Sequence, residues 1–497
     1  MKTIKIWSFI VGLIVISAGC NDFLDIRPEG TLPSTGVDYT KSENIFLSVS
    51  AAYASMRSYG AHEFPYISAF EITSDNADKG SSPEDNPPAK ELDDFMFTSG
   101  NGMFNDLWNA YYDIVSAANY SIHQMPLFAQ ELQAQESKDY AWQCQGEGKF
   151  IRAYAYFNLV RMFGKVPYYD TITTEAILSS TKQSEISALY DLIEKDLNEA
   201  IAVLPESYTK EWAGRITKYS AMALKAKVHF YQGEWNDAAF YADKIIASGR
   251  YDLLPNFRDN FLIDGENSKE SLFEIQASTL GLSSGDKTFL EYAYQQGPRG
   301  NSPGNLQGWG FCTPSSNLIS FFTERGETVR AQTTFLYRGT KTPEGDSIKN
   351  ACTNSVYNGK VYTPASQNKW NYNGYGFDYN CRVLRYSDVL LIFAEAMANG
   401  ATITTTSGYD AYMALNAVRI RAGLIEAPAT IQNIWDERRA ELALEEDRFF
   451  DLVRTGQAKN ALAAHGKNFV VGKHEHFPIP ANQMKLNTNL IQNSGYN

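Results

Sequence analysis

Apolar positions recur at helical spacing along most of the chain. The heaviest concentration lies between Glu147 and Phe163, where Phe150, Ile151, Tyr154, Tyr156, Phe157, Leu159, Val160, Met162 and Phe163 surround the helix that the segment would form. A helix apolar on nearly every side must be wrapped by neighbours. Gly164 follows as a left-handed cap and Pro167 prevents resumption. The same spacing predicts helices over Ser42–Arg57, Phe104–His123, Lys138–Phe163, Glu185–Leu204, Lys218–Gln232, Asn236–Ala247, Arg385–Asn399, Tyr409–Ala422 and Ile431–Arg454. In one antiparallel pair, Ala226, Gly233, Trp235 and Ala238 stand at the spacings of a tetratricopeptide unit: small residues let the helices approach and Gly233 permits the reversal. The periodicity fails twice. Ser58–Gly102, rich in Ser, Pro, Asp and Gly, predicts a long surface loop. Asp252–Asn380 holds one strand-like run, Ser271–Gln276, among glycine, asparagine and aromatic clusters, and predicts an irregular insertion folded against the helices.

The amino terminus follows a different logic. Lys2 and Lys5 precede an apolar run from Ile6 to Ile16, too short to span a bilayer, and Ser17, Ala18, Gly19 and Cys20 follow. This predicts a signal peptide over 1–19, cleaved at a lipobox-like site. Cys20 becomes a lipidated first residue and 20–41 a polar tether, with the folded part occupying 42–497 as one domain. The 497 residues carry a net charge of -13 without a basic run, which argues against nucleic acid as a partner. Cys144, Cys312, Cys352 and Cys381 lack the close pairing of a zinc or redox motif. A disulfide among the last three stays open.

Catalytic patterns are weak. Gly281-Leu282-Ser283-Ser284-Gly285 matches a nucleophile elbow, but no helix pattern continues from it. His474-Glu475-His476 lacks the i, i+4 histidine pair of a zinc helix. Glu437, Glu441 and Glu445 share a helical face, yet Arg438, Arg439 and Arg448 are interspersed, and ion pairing on one packed helix accounts for them. No Walker or Rossmann fingerprint occurs. No catalytic residue, metal site or cofactor is therefore expected. Aromatic residues in the unpatterned stretches remain: Tyr59, Phe64 and Tyr66, followed by Asp75 and Asn76; Trp309 and Phe311 in a glycine-rich loop; and Trp370, Tyr372 and Tyr375 in an Asn/Gly loop. Sugars present flat C–H faces edged with hydroxyls, which an exposed ring covers at small entropic cost. Trp108 and Tyr112, on a helix, read as core.

Several segments carry a family resemblance. GEGKFIRAYAYFNLVRMFGKVPYY from Gly146, CNDFLDIRP from Cys20, DLWNAYYDIVSAAN from Asp106, ERRAELALEEDRFFDLVRTG from Glu437 and FPIPANQMKLNTNLIQNSGY from Phe477 are similar, in order, to segments of the SusD/RagB family of outer-membrane nutrient-binding lipoproteins. Glu446 stands where that family commonly has glycine. The resemblance implies a mainly α SusD-like fold, a tetratricopeptide-like scaffold of helix pairs with a loop-rich insertion at about 252–380. It implies a protein tethered through Cys20 to the outer membrane of a Bacteroidetes-like bacterium, binding an oligosaccharide without cleaving it. A SusC-like TonB-dependent transporter is the implied partner. The family's glycan site lies on loops of the amino-terminal half and the insertion, so Trp309, Trp370, Tyr372, Tyr375, Phe311, Tyr66, Asp75 and Asn76 are the expected ligand-binding residues. Asp75, in EITSDN, resembles a recurrent TSD segment before that site. Peptide binding, as in RagB-type relatives, glycoside hydrolysis and a pure scaffold are the competing readings.

Overall fold

The computed structural model describes residues 36–279, 287–301, 307–367 and 378–496. Cys20 with the signal segment, the Gly281–Gly285 turn, and Trp370, Tyr372 and Tyr375 lie outside the described residues.

The scaffold is an array of helices, each packed against the next: α1 (Ile45–Ser55), α2 (Gly102–Glu131), α3 (Gln135–Phe163), α4 (Ile186–Val203), α5 (Lys218–Gln232), α6 (Trp235–Ala247), α7 (Tyr386–Ala398), α8 (Ala411–Arg421) and α9 (Ile431–Glu441). From Phe150 to Phe163 every side chain of α3 is buried, as its all-round apolarity requires. α2 covers one side of it and α4 another. The approach of α4 is so close that a Cβ on Gly146 would lie 2.6 Å from a Val203 methyl. Arg152 of α3 donates to both carboxylate oxygens of Asp196 in α4 at 2.7 Å, so the one charge on that face is matched. Gly164, at φ +68°, ends α3, and Gly233, at φ +73°, turns α5 into α6 as expected. Among the described residues, no helix is long and apolar enough to cross a membrane.

The carboxy-terminal segment returns to the middle of the array. The Phe477 N–H donates to the Met162 carbonyl at 2.6 Å, the Asn493 side-chain amide donates to that of Phe163 at 2.9 Å, and the Phe477 ring lies 5.1 Å from that of Phe104. One contiguous buried cluster includes residues from Ala52 to Leu490.

The structure departs from the sequence expectation in two places. Ser58–Gly102 is not a surface loop: short helices at Tyr59–His62, Phe64–Ile67 and Pro87–Asp94 and a strand, β1 (Ala77–Gly80), occupy it, and Gly60–Asn76 is buried throughout. Its polar residues are satisfied internally, which lets a Ser- and Asp-rich stretch enter the core. Nor is Ile431–Arg454 one helix. α9 stops at Glu441, and α10 (Arg448–Arg454) starts after a turn in which Leu444 and Glu446 hold φ +63° and +64°. That conformation favours glycine, which gives a backbone reason for the family's common glycine at Glu446.

Five further strands complete the fold: β2 (Ser271–Ile275), β3 (Phe311–Pro314), β4 (Phe335–Tyr337), β5 (Val356–Asn358) and β6 (Cys381–Arg385). They pair as antiparallel two-stranded ladders β1–β3, β2–β6 and β4–β5. The first ladder joins the amino-terminal half to the insertion. Cys144, Cys312, Cys352 and Cys381 are free, buried thiols.

Candidate functional site

In the β1–β3 ladder Ala77 faces Pro314 and Gly80 faces Phe311. This register sets the chain leaving β1 beside the chain entering β3, so distant loops meet at one end of the ladder. The Ser81 N–H donates to the Gly310 carbonyl at 2.6 Å, and Ser81 takes a left-handed φ of +54° to do so. A third segment joins them just before β5. The Thr353 N–H donates to the Arg299 carbonyl at 3.2 Å, and the Asn354 side-chain amide donates to that of Ser81 at 3.2 Å.

Trp309 stands at this junction, 37% exposed. Its backbone N–H donates to the Tyr294 carbonyl at 2.9 Å, and the two rings meet edge to face with centres 6.1 Å apart. Behind it the chain crosses itself. A Cβ on Gly308 would lie 2.5 Å from both the Gly297 Cα and the Tyr294 carbonyl oxygen, so only glycine permits this crossing. The Arg299 guanidinium lies 5.9 Å from the indole centre, donates to the Ser81 hydroxyl at 2.6 Å and pairs with Asp85. Asp85 also accepts from the Ser81 hydroxyl at 2.8 Å and the Ser82 N–H at 3.0 Å. Arg299 and Asp85 nevertheless remain 30% and 31% exposed. The Asn354 side-chain oxygen has no hydrogen-bond partner. The result is an indole with a guanidinium, a carboxylate and an amide drawn from three loops around it. It can cover an apolar ligand face while offering donors and acceptors to the ligand's rim.

Of the other expected ligand-binding residues, those described face inward. Phe311 packs its ring 4.3 Å from that of Phe64, and Tyr66 lies between His62 and Phe70 at 5.0 and 4.3 Å. Asp75 accepts from Arg448 at 2.8 and 3.1 Å and pairs with Arg439 at 3.1 Å; Asn76 accepts from Arg439 at 2.9 Å. Burial pushes the Asp75 carboxyl up, but the two guanidinium groups outweigh it and hold the group well below the usual carboxylate range. These four side chains are structural, because the segment carrying Tyr66, Asp75 and Asn76 folds into the core and Phe311 points beneath β3. Arg299, Asp85, Ser81 and Asn354 were not expected. They sit in polar, glycine-rich clusters visible in the sequence, but strand pairing alone brings them together.

Other chemistry-bearing groups are engaged. Arg330 contacts Glu437 at 2.7 Å and Glu441 at 3.2 Å, and Arg385 contacts Glu441 at 3.1 Å and Glu445 at 2.7 Å. Ion pairing explains these carboxylates, although Glu445 lies beyond the helix break. His474 is buried and its Nδ1 accepts the Val470 N–H at 3.0 Å, so His474-Glu475-His476 forms no ligand cluster.

Known proteins resemble the chain over most of its length. Residues 22–230 match a family model described as starch-binding associating with outer membrane, and residues 269–496 match the model of the SusD family. SusD-like protein P2 of Formosa agariphila is 27% identical across 100% of both chains. Starch-binding protein SusD of Bacteroides thetaiotaomicron is 25% identical over 76% of this chain and 77% of its own. A solved laminarin-binding SusD-like protein, 27% identical, superposes with a TM-score of 0.77 over 91% of this chain and 99% of its own. Surface glycan-binding protein A from Bacteroides fluxus, 25% identical, superposes at 0.76 over 92% and 100%. Matched in order through both halves and in its helical array, this chain belongs to the SusD/RagB family.

Proposed function

We propose that this protein is a cell-surface lipoprotein that holds an oligosaccharide on the Trp309 platform and passes it, uncleaved, to a TonB-dependent transporter. The observation that carries the reading is the exposed indole ringed by Arg299, Asp85 and Asn354. A pyranose stacked on the indole would meet donors from the guanidinium and amide and acceptors from the carboxylate and the unpartnered Asn354 oxygen. Retention without cleavage is favoured by the chemistry of the rim. Glycoside hydrolysis uses two carboxyl groups about 5–9.5 Å apart, one of them protonated, whereas Asp85 is tied to Arg299, Ser81 and Ser82. Lipidation at Cys20 would supply the anchor, and the outer-membrane association in the matching family description supports that location.

The laminarin-binding relative makes laminarin the first ligand to test, with starch beside it. Native electrophoresis through gels containing each polysaccharide reads retention directly. The wild-type protein is expected to be retarded by at least one glycan and Trp309→Ala to run freely in the same gel. Equal retardation of both proteins overturns the site, and reducing ends released by the pure protein overturn the non-catalytic reading. Delivery predicts co-purification with a TonB-dependent transporter from detergent-solubilised outer membranes.

A further inference from the structure

In the helical scaffold, three side chains from successive elements converge. Glu194 projects from α4, His229 from the last turn of α5, and Glu234 from the turn into α6. One ligand atom from each lies within 4.8 Å of the others. His229 Nδ1 is 2.5 Å from a Glu234 carboxylate oxygen and 3.8 Å from one of Glu194. The imidazole is held in place: it is buried, stacks on Tyr241 with ring centres 5.8 Å apart and planes 6° from parallel, and its Nε2 has no hydrogen-bond partner. All its polar contacts therefore pass through Nδ1. The carboxylates are 23% and 46% exposed, so the cluster opens to solvent on their side. Among the described residues, neither carboxylate has a lysine or arginine within ion-pair distance. Only the Gln232 amide contacts Glu194, at 2.8 Å. Two carboxylates thus share one imidazole without a balancing cation.

We infer that Glu194, His229 and Glu234 form a binding site for a first-row divalent transition metal, Zn2+ foremost, that clamps α4 to the α5–α6 hairpin. One imidazole nitrogen and two carboxylate oxygens suit zinc, with the fourth position open to water. Calcium and magnesium prefer six or more oxygen ligands. Tetrahedral zinc ligands lie about 3.3 Å apart, so the two exposed carboxylates would each move less than about 1 Å to close around the ion. This site is built from elements other than those of the Trp309 platform.

The test uses the full-length, metal-stripped protein. Titration calorimetry with ZnCl2 is expected to show one saturable site, and Co2+ to give visible absorption of a four- or five-coordinate complex. Glu234→Gln, on a half-exposed side chain, should keep the far-UV circular dichroism of the wild type and weaken Zn2+ binding at least about tenfold. His229→Gln should remove the cobalt spectrum, while His476→Gln should leave both readouts unchanged. Should His229→Gln misfold, Glu194→Gln replaces it. Stoichiometric binding that survives in Glu234→Gln and Glu194→Gln, or its absence from the wild type, overturns the assignment.

Discussion

Arg448 Nε donates to the Asp75 carboxylate at 2.8 Å across 373 residues of sequence. With Arg439 on its other oxygen, Asp75 ties the amino-terminal buried segment to α9 and α10. Replacing it with asparagine leaves two mostly buried guanidinium groups without their counter-charge. Asp75→Asn is expected to cost about 3–5 kcal/mol in urea denaturation, while the remaining folded protein binds glycan as before. A variant of unchanged stability that no longer bound glycan would return Asp75 to the ligand site.

The Trp309 platform yields two variants with one expected phenotype. Trp309→Ala removes the ring from a partly exposed position and should change stability by no more than about 0.5 kcal/mol while abolishing retention in glycan gels. Gly308→Ala keeps every aromatic side chain but drives a methyl group against Gly297 and the Tyr294 carbonyl. Displacing the indole this way should weaken binding while costing about 1–3 kcal/mol. Calorimetry with the retained glycan compares the two.

Burial pushes the Glu71 carboxyl up to about 7, only partly offset by the Glu446 N–H and the Ser74 hydroxyl, and burial together with Glu71 raises Glu446 further. Between the unfolded carboxyl value and about 7, the folded state holds protons that the unfolded state has released. Stability from this pair is therefore fully present at low pH and is lost as pH rises, by up to about 1.4 kcal/mol per pH unit per group. Buried His62, pushed down to about 4, has the opposite slope: its contribution is lost as pH falls from the unfolded value towards 4. The difference between Glu446→Gln and wild type isolates the carboxyl term. Glutamine can still accept from Tyr292, so the variant should gain relative stability between pH 5 and pH 8. A difference that stays flat across urea midpoints in that range would refute the assignment.

The contact between α3 and α4 is open to a double substitution. Gly146→Ala brings a methyl group within 2.6 Å of Val203 and should cost about 1–3 kcal/mol, less the roughly 1 kcal/mol that alanine gains over glycine within a helix. In a Val203→Ala background that clash disappears, and Gly146→Ala should become neutral or stabilising. Additive thermal shifts across the cycle would show that the two positions do not meet.

The helical array was legible because a buried stripe leaves a period in sequence, and α3, α4 and α5 match their expected spans to within a few residues except at the amino end of α3. Buried polar structure leaves no such period. The segment around Asp75 has the composition of a loop, and only its guanidinium partners, more than 360 residues away, allow it inside. The break before α10 was hidden because Leu444 and Glu446 carry no glycine signal for their left-handed conformations. Trp309 was legible as an aromatic among glycines, whereas its rim was not: Arg299 and Ser81 are 218 residues apart, and Asn354 and Ser81 273.

The return of Phe477 and Asn493 to the end of α3 bears on how the molecule would respond to a protease. A single nick at the Ser248–Arg250 turn would separate the chain near the boundary of its two matched halves, yet the carboxy-terminal fragment would still grip α3 through its last residues and α6 through α7. The cleaved molecule is expected to co-elute as one particle on gel filtration and to fall apart only in denaturant.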